Sequence, residues 1–324
     1  MVPFVTKSKI VRECNGWGEW LTEKSTCRPK TIHDDILKWI TRICLGISLF
    51  FLVLTIFCLF YVRRLNTQRV FILRNMCIAL LLSQVMFLTV MHITKYELLC
   101  RIIAVFSHFV MLSVFSWKLC LGINLLALVN GRPGDVINGS PATWVYCLIG
   151  YLPPIMIVAI SAGVMWRNYG GNDFCWLQPV AWLPWTAALP AAAVIVVNAA
   201  ILISMGCSLA HLIRRRKVNR KSLYAKSLTG SFKILLGLIP ILGGTWVFGA
   251  LMLVDFPKEV NLFFRYCFAI FNSLEGLFVF LAVVVFNPEV REGIRRENHV
   301  DHGPASAEDE IQAPVVHEIP SFFL

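Results

Sequence analysis

Seven stretches of nearly continuous apolar residues run along the chain, at about 37–62, 70–92, 99–128, 142–165, 179–212, 231–254 and 261–286, with short polar segments between them. Each can supply the roughly 20 helical residues that cross a hydrocarbon core of about 30 Å. In lipid the backbone must satisfy its own hydrogen bonds, so only helices or closed barrels span, and these stretches are far too long for barrel strands. The pattern predicts an all-α membrane protein, a seven-transmembrane helix bundle occupying residues 37–286. The third and fifth stretches are longer than a span requires, which implies tilt or extension beyond the core. The second is the most interrupted, starting beside Arg74 and containing Asn75, Ser83 and Gln84.

The flanks are polar. Residues 1–36 read as a short segment outside the bundle, too small to build a core of its own. "TIHDDILKWI" reads as a helix start with an acidic pair near its first turn. Residues 287–298 predict a short basic amphipathic helix at the membrane surface. Residues 299–324, rich in acids, Pro and Ala, predict disorder. The first 16 residues hold no apolar core of a cleavable signal peptide. The expectation is that the first span acts as an uncleaved signal, or that the chain is part of a longer precursor.

Composition agrees with a membrane protein. Hydrophobic residues make up 57% of the chain and charged residues 15%, and the mean hydropathy is +0.68; soluble domains have about 25% charged residues. The net charge of +11 is explained by its placement around the spans and implies no nucleic-acid partner. The 11 cysteines form no CxxC pair, so no zinc framework, other metal site or cofactor is predicted. Cys44, Cys58, Cys77, Cys120, Cys147, Cys207 and Cys267 fall inside apolar runs, where cysteine behaves as a small buried hydrophobe.

The basic residues orient the bundle. "VRRLNTQR" follows span 1, "RRRKVNRKSLYAK" follows span 5 and "NPEVREGIRRENH" follows span 7, all on one side. The positive-inside rule places that side in the cytoplasm, with the N-terminus outside, as expected for a multi-pass plasma-membrane protein. The N-terminal bases Lys7, Lys9, Arg12, Lys24, Arg28 and Lys30 oppose this orientation but are outweighed by the clusters beside later spans. The one N-x-S/T sequon, at Asn138, then lies inside and is expected to stay unmodified.

That orientation puts Cys100, at the start of span 3, and Cys175, in the loop "YGGNDFCWLQP", in the same oxidising compartment at one membrane level. A Cys100–Cys175 disulfide is expected, pinning the loop across span 3. Gly170 and Gly171 permit the turn. Phe174 and Trp176 flank the pinned point, either as the edge of a ligand-facing lid or as rings anchored at headgroup level. Cys14 and Cys27 are placed for a second, smaller disulfide, although each could instead pair elsewhere or stay free.

Several stretches in order resemble the seven-helix domain of adhesion G-protein-coupled receptors, within the secretin-like class. They are "CRIIAVFSHFVMLSVFSWKLCLGINLL" from Cys100, "IGYLPPIMIVAISAG", "YGGNDFCWL", "LLGLIPILGGTWVFGAL" and "FAIFNSLEGLFVFL". The resemblance covers about residues 35–296 and implies a bundle of G-protein-coupled receptor type. It implies a receptor, not an enzyme, that passes an extracellular signal to heterotrimeric G proteins on the cytoplasmic side. Residues 1–36 contain no His-Leu-Ser/Thr cleavage site followed by an apolar segment. The expected stimulus is therefore an external ligand, basal activity or a tethered agonist from a region not present in this sequence.

The resemblance implies a ligand and activation pocket at Trp246, similar to the family's sixth-span tryptophan, together with Trp176, Phe174, Phe248, Trp117, Phe109 and Asn272. Gly243, Gly244 and Gly249 are placed to bend span 6 or to pack it closely. Pro153 and Pro154 are expected to kink or end the helical ladder of span 4. Arg214, Arg215, Arg216, Lys217, Arg220, Lys221 and Lys226 border the inner face, where a G protein or anionic membrane lipids would meet them.

Three positions depart from the family pattern together. Where the family usually reads Trp-Met-x-x-Glu-Gly in span 3, this chain has Lys118 for the methionine and Leu121 for the glutamate. Where the family reads Asn-Ser-x-Gln-Gly in span 7, it has Glu275 for the glutamine. Buried lone charges are costly, so Lys118 and Glu275 either meet within the core or find separate solutions, with the lysine snorkelling and the acid held neutral. Counted from Cys100, Lys118 lies deeper than Glu275 by a turn or more, which favours separation. Two other functions compete with a coupled receptor. A signalling-impaired adhesion or scaffold protein fits the altered core, and a transporter fits seven spans alone, although no two halves share matching breaks.

Overall fold

A computed structural model describes residues 32–62, 68–90, 96–129, 141–171, 175–178, 180–215, 241–252, 256–287 and 290–295. Five long helices come first: α1 (Ile32–Tyr61), α2 (Gln68–Val90), α3 (Glu97–Val129), α4 (Pro141–Met165) and α5 (Trp185–Arg215). Each is long and apolar enough to cross a membrane. A short helix α6 (Trp246–Leu251) precedes α7 (Lys258–Ser273) and α8 (Glu275–Phe280), which runs into a π-helical turn at Leu281–Val285. α7 and the segment Glu275–Val285 meet at 49° and together are long and apolar enough for one further, broken span. The predicted sixth span is described only over 241–252.

The axis of the bundle is α3, which packs against α2, α4 and α5. Its buried residues run from Cys100 and Ala104 through Leu112, Trp117 and Leu121 to Leu125. α1 and α4 lie at the rim and turn large apolar side chains outward, among them Ile43, Phe50 and Phe57 on α1 and Leu148, Met156 and Ile160 on α4. Lipid tails are as apolar as these residues, so close backbone approach rather than water exclusion joins the helices. At Gly150 of α4 an added Cβ would lie 2.6 Å from the Trp117 ring, and at Gly122 of α3 it would lie 2.7 Å from Asn198 Oδ1 of α5.

Among the described residues, buried apolar side chains gather in two large clusters, with the Cys100–Cys175 pair as a small third. One, at the disulfide end, joins Ala104, Phe115, Tyr169, Leu183 and Ala187. The other, toward the opposite end, joins Leu52, Met76, Trp117, Leu125, Met205 and Val279. A short helix at 290–295 buries Val290 and leaves Arg291, Glu292 and Arg295 exposed.

Several boundaries differ from the pattern of apolar residues. α5 starts at Trp185 rather than at 179, because residues 181–184 form a turn with Ala181 at φ 49°. The Pro184 carbonyl takes the first helical hydrogen bond, from Ala188 N–H at 3.1 Å. Pro153 and Pro154 do not end α4, which continues through both to Met165. Span 6 is not continuous, since a turn at 242–245 interrupts it before Trp246. Phe174, Cys14, Cys27, Asn138, Arg216, Lys217, Arg220, Lys221, Lys226 and the tail at 299–324 lie outside the described residues, as do the side chains of Arg214 and Arg215.

Candidate functional site

The loop after α4 is fastened at several points. Cys100 and Cys175 form a disulfide, as expected, with their Cα atoms 4.8 Å apart. Tyr169 and Leu177 pair as an isolated antiparallel bridge. Gly170 N–H donates to the Trp176 carbonyl at 2.9 Å, and Gln178 N–H donates to the Asn168 carbonyl at 3.0 Å. Glycine is required at 170 on two counts. Its φ is +77°, and an added Cβ would lie 3.2 Å from Cys100 Sγ and 3.3 Å from Arg101 N.

Tyr169 is the anchor beneath this hairpin. Its side chain is fully buried, and its hydroxyl lies 2.6 Å from Ser161 Oγ on α4 and 3.0 Å from His108 Nδ1 on α3. Burial pushes its phenol above the ordinary value of 10.0, with the Ser161 hydrogen bond acting the other way. Trp176 rests half-buried against both the disulfide and the cluster at this end.

Trp246 borders the same cluster from α6. Its ring meets Phe115 of α3 at 5.1 Å and Phe268 of α7 at 5.4 Å, both edge-on. Such contacts contribute roughly 0.5–1.5 kcal/mol each beyond the area they bury. The turn before Trp246 depends on Gly243, whose φ is +98°. The break leaves the Leu242 carbonyl without a helical donor, and Asn198 Nδ2 of α5 supplies one at 3.1 Å. Thr245 Oγ1 reaches Asn272 Oδ1 of α7 at 3.4 Å, so the interruption in span 6 touches span 7 two residues before its bend at Leu274. Gly249 has a different role: an added Cβ would lie 3.0 Å from the Phe268 ring.

Two rings assigned to this pocket by sequence lie elsewhere. Trp117 is fully buried in the opposite cluster, edge-on to Tyr151 at 5.2 Å and Phe71 at 6.0 Å. Phe248 stacks on Phe271 at 5.7 Å, apart from the Trp246 contacts. Phe109 stays at the disulfide end, near Phe106 and Tyr151.

Lys118 Nζ lies 2.5 Å from Glu275 Oε1, and both side chains are buried, at 1% and 4% exposure. The lysine's four-carbon stem spans the offset in depth that argued for separation. The ammonium also lies 5.5 Å from the Phe115 ring centroid. Leu121 sits in the apolar cluster at 3% exposure.

The model described as the seven-transmembrane receptor (Secretin family) matches residues 34–279. The chain belongs to that family. Among curated relatives, latrophilin-like protein 1 of Caenorhabditis elegans is 30% identical over 81% of this chain and 25% of its own length. Cadherin EGF LAG seven-pass G-type receptor 2 of Mus musculus is 30% identical over 91% of this chain and 10% of its own. Adhesion G protein-coupled receptor L1 of Homo sapiens is 32% identical over 82% of this chain and 17% of its own. The chain therefore spans a quarter or less of these three proteins.

As a secretin-family receptor domain, the chain holds its site with residues that apolar periodicity does not reveal. Asn198, Ser48 and Tyr169 each occupy a break or a crossing. Ser48 Oγ of α1 accepts from Gln84 Nε2 of α2 at 2.9 Å and from Gly276 N–H of α8 at 2.8 Å. The available signal was a polar residue inside an apolar run, as at Asn198 and Ser48.

Proposed function

We propose that this membrane receptor is an adhesion-type G-protein-coupled receptor, sited in the plasma membrane, that transmits an extracellular signal to heterotrimeric G proteins. The disulfide end faces outside, and the basic segment following α5 faces the cytoplasm. The observation that carries the reading is the position of Trp246. It borders the cluster under the clamped loop, touches α3 and α7 through Phe115 and Phe268, and directly follows the broken turn of span 6.

A ligand or tethered segment pressing on Trp246 would push against two helices and the hinge before it. Gly243 and the bend at Leu274 supply places where spans 6 and 7 can move. Movement of span 6 would open the inner face bordered by Arg214 to Lys226, where a G protein binds. Trp176 and Phe109 complete the apolar surround at the disulfide end.

The test is G-protein activation in cells by the intact chain, compared with Trp246→Ala and with a variant whose charges at Arg214–Lys217, Arg220, Lys221 and Lys226 are removed. Loss of activity in both, at equal surface level, supports the reading. The presence of Leu121 where the family carries glutamate favours a second reading, an adhesion or scaffold protein that has lost coupling. Surface expression with silence under every stimulus would select it.

A further inference from the structure

Lys118 and Glu275 sit where α3 meets the bend of span 7. Glu275 is the first residue after Leu274, whose φ of −89° and ψ of 9° carry the 49° bend in span 7. Lys118 belongs to α3, the axis. Among the described residues neither side chain makes another ion pair, and both are buried.

Such a pair is a poor device for stability. Removing two charges from water costs about as much as their attraction returns, and an apolar pair of similar size often serves as well. Its distinctive effect is on the choice between conformations. Any arrangement that parts the two charges inside the bundle leaves both uncompensated, whereas a neutral pair can part freely. One ring connects this pair to the sixth span. Phe115 lies one turn before Lys118, with its ring 5.5 Å from the ammonium and 5.1 Å from the Trp246 ring.

We propose that the Lys118–Glu275 ion pair is a resting-state latch between α3 and the far limb of span 7, and that Phe115 is the contact through which Trp246 bears on it. While the pair is closed, α8 is held against α3 and the bend keeps its angle. When Trp246 is displaced, Phe115 follows and its ring leaves the ammonium. Lys118 then loses the cation–π share of its stabilisation, and the closed state becomes less favoured. No proton, bond or cofactor changes hands; the device is a difference in energy between two packings. The proposal rests on the receptor reading above, since it names Trp246 as the input.

The test uses the full chain in phospholipid nanodiscs. Amide hydrogen exchange over residues 274–281 and the melting temperature are measured for wild type, Lys118→Met, Glu275→Gln, the Lys118→Met/Glu275→Gln double variant, the exchanged pair Lys118→Glu/Glu275→Lys, and Phe115→Leu. In the double variant, which removes both charges, the melting temperature is expected to stay near that of wild type. Exchange across the bend is expected to rise by about tenfold or more, as for loss of a buried ionic restraint. The exchanged pair is expected to bring the rate back toward wild type. Trp246→Ala, which frees Phe115 but also removes the surface a stimulus presses on, is expected to raise exchange in wild type but much less in the Phe115→Leu background.

Unchanged exchange in the folded double variant overturns the latch. A parallel loss of melting temperature in that variant also overturns it and makes the pair a structural strut. Equal effects of Trp246→Ala in both backgrounds overturn the role of Phe115. G-protein activation in cells, measured on the same variants, separates the two readings: raised exchange with complete silence in wild type and double variant sinks the receptor reading and leaves the latch.

Discussion

Gly276 lies against Ser48 so closely that an added Cβ would sit 2.5 Å from both the Ser48 carbonyl oxygen and its hydroxyl. The same serine takes the Gly276 N–H at 2.8 Å. The contact thus needs both the missing side chain and the N–H exposed beside the bend. Because the opposing oxygen is backbone, it cannot swing away. Gly276→Ala is expected to lower stability by about 2–3 kcal/mol through overpacking. Ser48→Ala is expected to cost about 1–3 kcal/mol by stranding the Gly276 N–H and the Gln84 amide. The double variant should cost less than the sum, because the two residues form one contact. Thermal unfolding of purified protein measures all three, and a wild-type melting temperature for Gly276→Ala would contradict the geometry.

Tyr169→Phe keeps the ring and removes the hydroxyl shared by Ser161 and His108. The expected cost is about 1–3 kcal/mol, since two buried polar groups lose a partner. The substitution also carries a pH signature. The raised phenol is held neutral in the folded protein. Its contribution is complete below the ordinary value of 10.0 and is lost as pH climbs through the higher folded value. Wild type should therefore lose stability more steeply than Tyr169→Phe as pH rises above 10.0 toward the folded value. Identical alkaline profiles would show that the hydroxyl does not hold the loop.

The disulfide closes a loop 75 residues long. Loop-closure entropy alone gives it up to about 4.5 kcal/mol in a chain-entropy account. Dithiothreitol is expected to lower the melting temperature of wild type and to leave the Cys100→Ala/Cys175→Ala variant unchanged. Sensitivity of the variant to reductant would place the labile bond elsewhere.

Gly243→Ala separates backbone strain from crowding. The nearest atom to an added Cβ is 3.6 Å away, which is ordinary contact, while φ stays at +98°. The expected cost is about 1–2 kcal/mol, the price of a left-handed alanine. Asn198→Ala should cost a comparable amount, about 1–2 kcal/mol, by leaving the Leu242 carbonyl of the same turn unbonded. If both substitutions act on one turn, their effects on G-protein activation should share a sign. Opposite signs in a signalling assay would separate the turn from the Asn198 hydrogen bond.

The spans could be read from the sequence because in lipid a run of apolar residues and a helix are nearly the same statement. The disulfide was legible because compartment and depth left Cys100 and Cys175 together. The breaks were harder. Glycines at 243, 244 and 249 look alike in sequence, yet only Gly243 takes a positive φ, while Gly249 serves the Phe268 ring. Which face of α3 holds Trp117 depends on the rotation of α3 against α4. Gly150 sets that contact, and no pattern within span 3 encodes it. Lys118 and Glu275 drew attention as charges inside apolar runs, but counting residues along separate helices misjudged how far a lysine stem reaches. Asn198 and Ser48 escape apolar periodicity because each serves a backbone group freed by a break, the Leu242 carbonyl and the Gly276 N–H.

The hairpin over α3 also restricts how anything reaches Trp246. Its fastenings run to Cys100 and, about two turns further along α3, to His108, and to Ser161 on α4, and its buried Tyr169 and Leu177 share a cluster with Leu183 and Ala187 at the start of α5. Among the described residues, that quarter of the bundle is closed by a covalent bond and a hydrogen-bonded phenol. On the side of α3 and α4 the hairpin is therefore a fixed wall, tied to both helices at once by a covalent bond and a shared phenol.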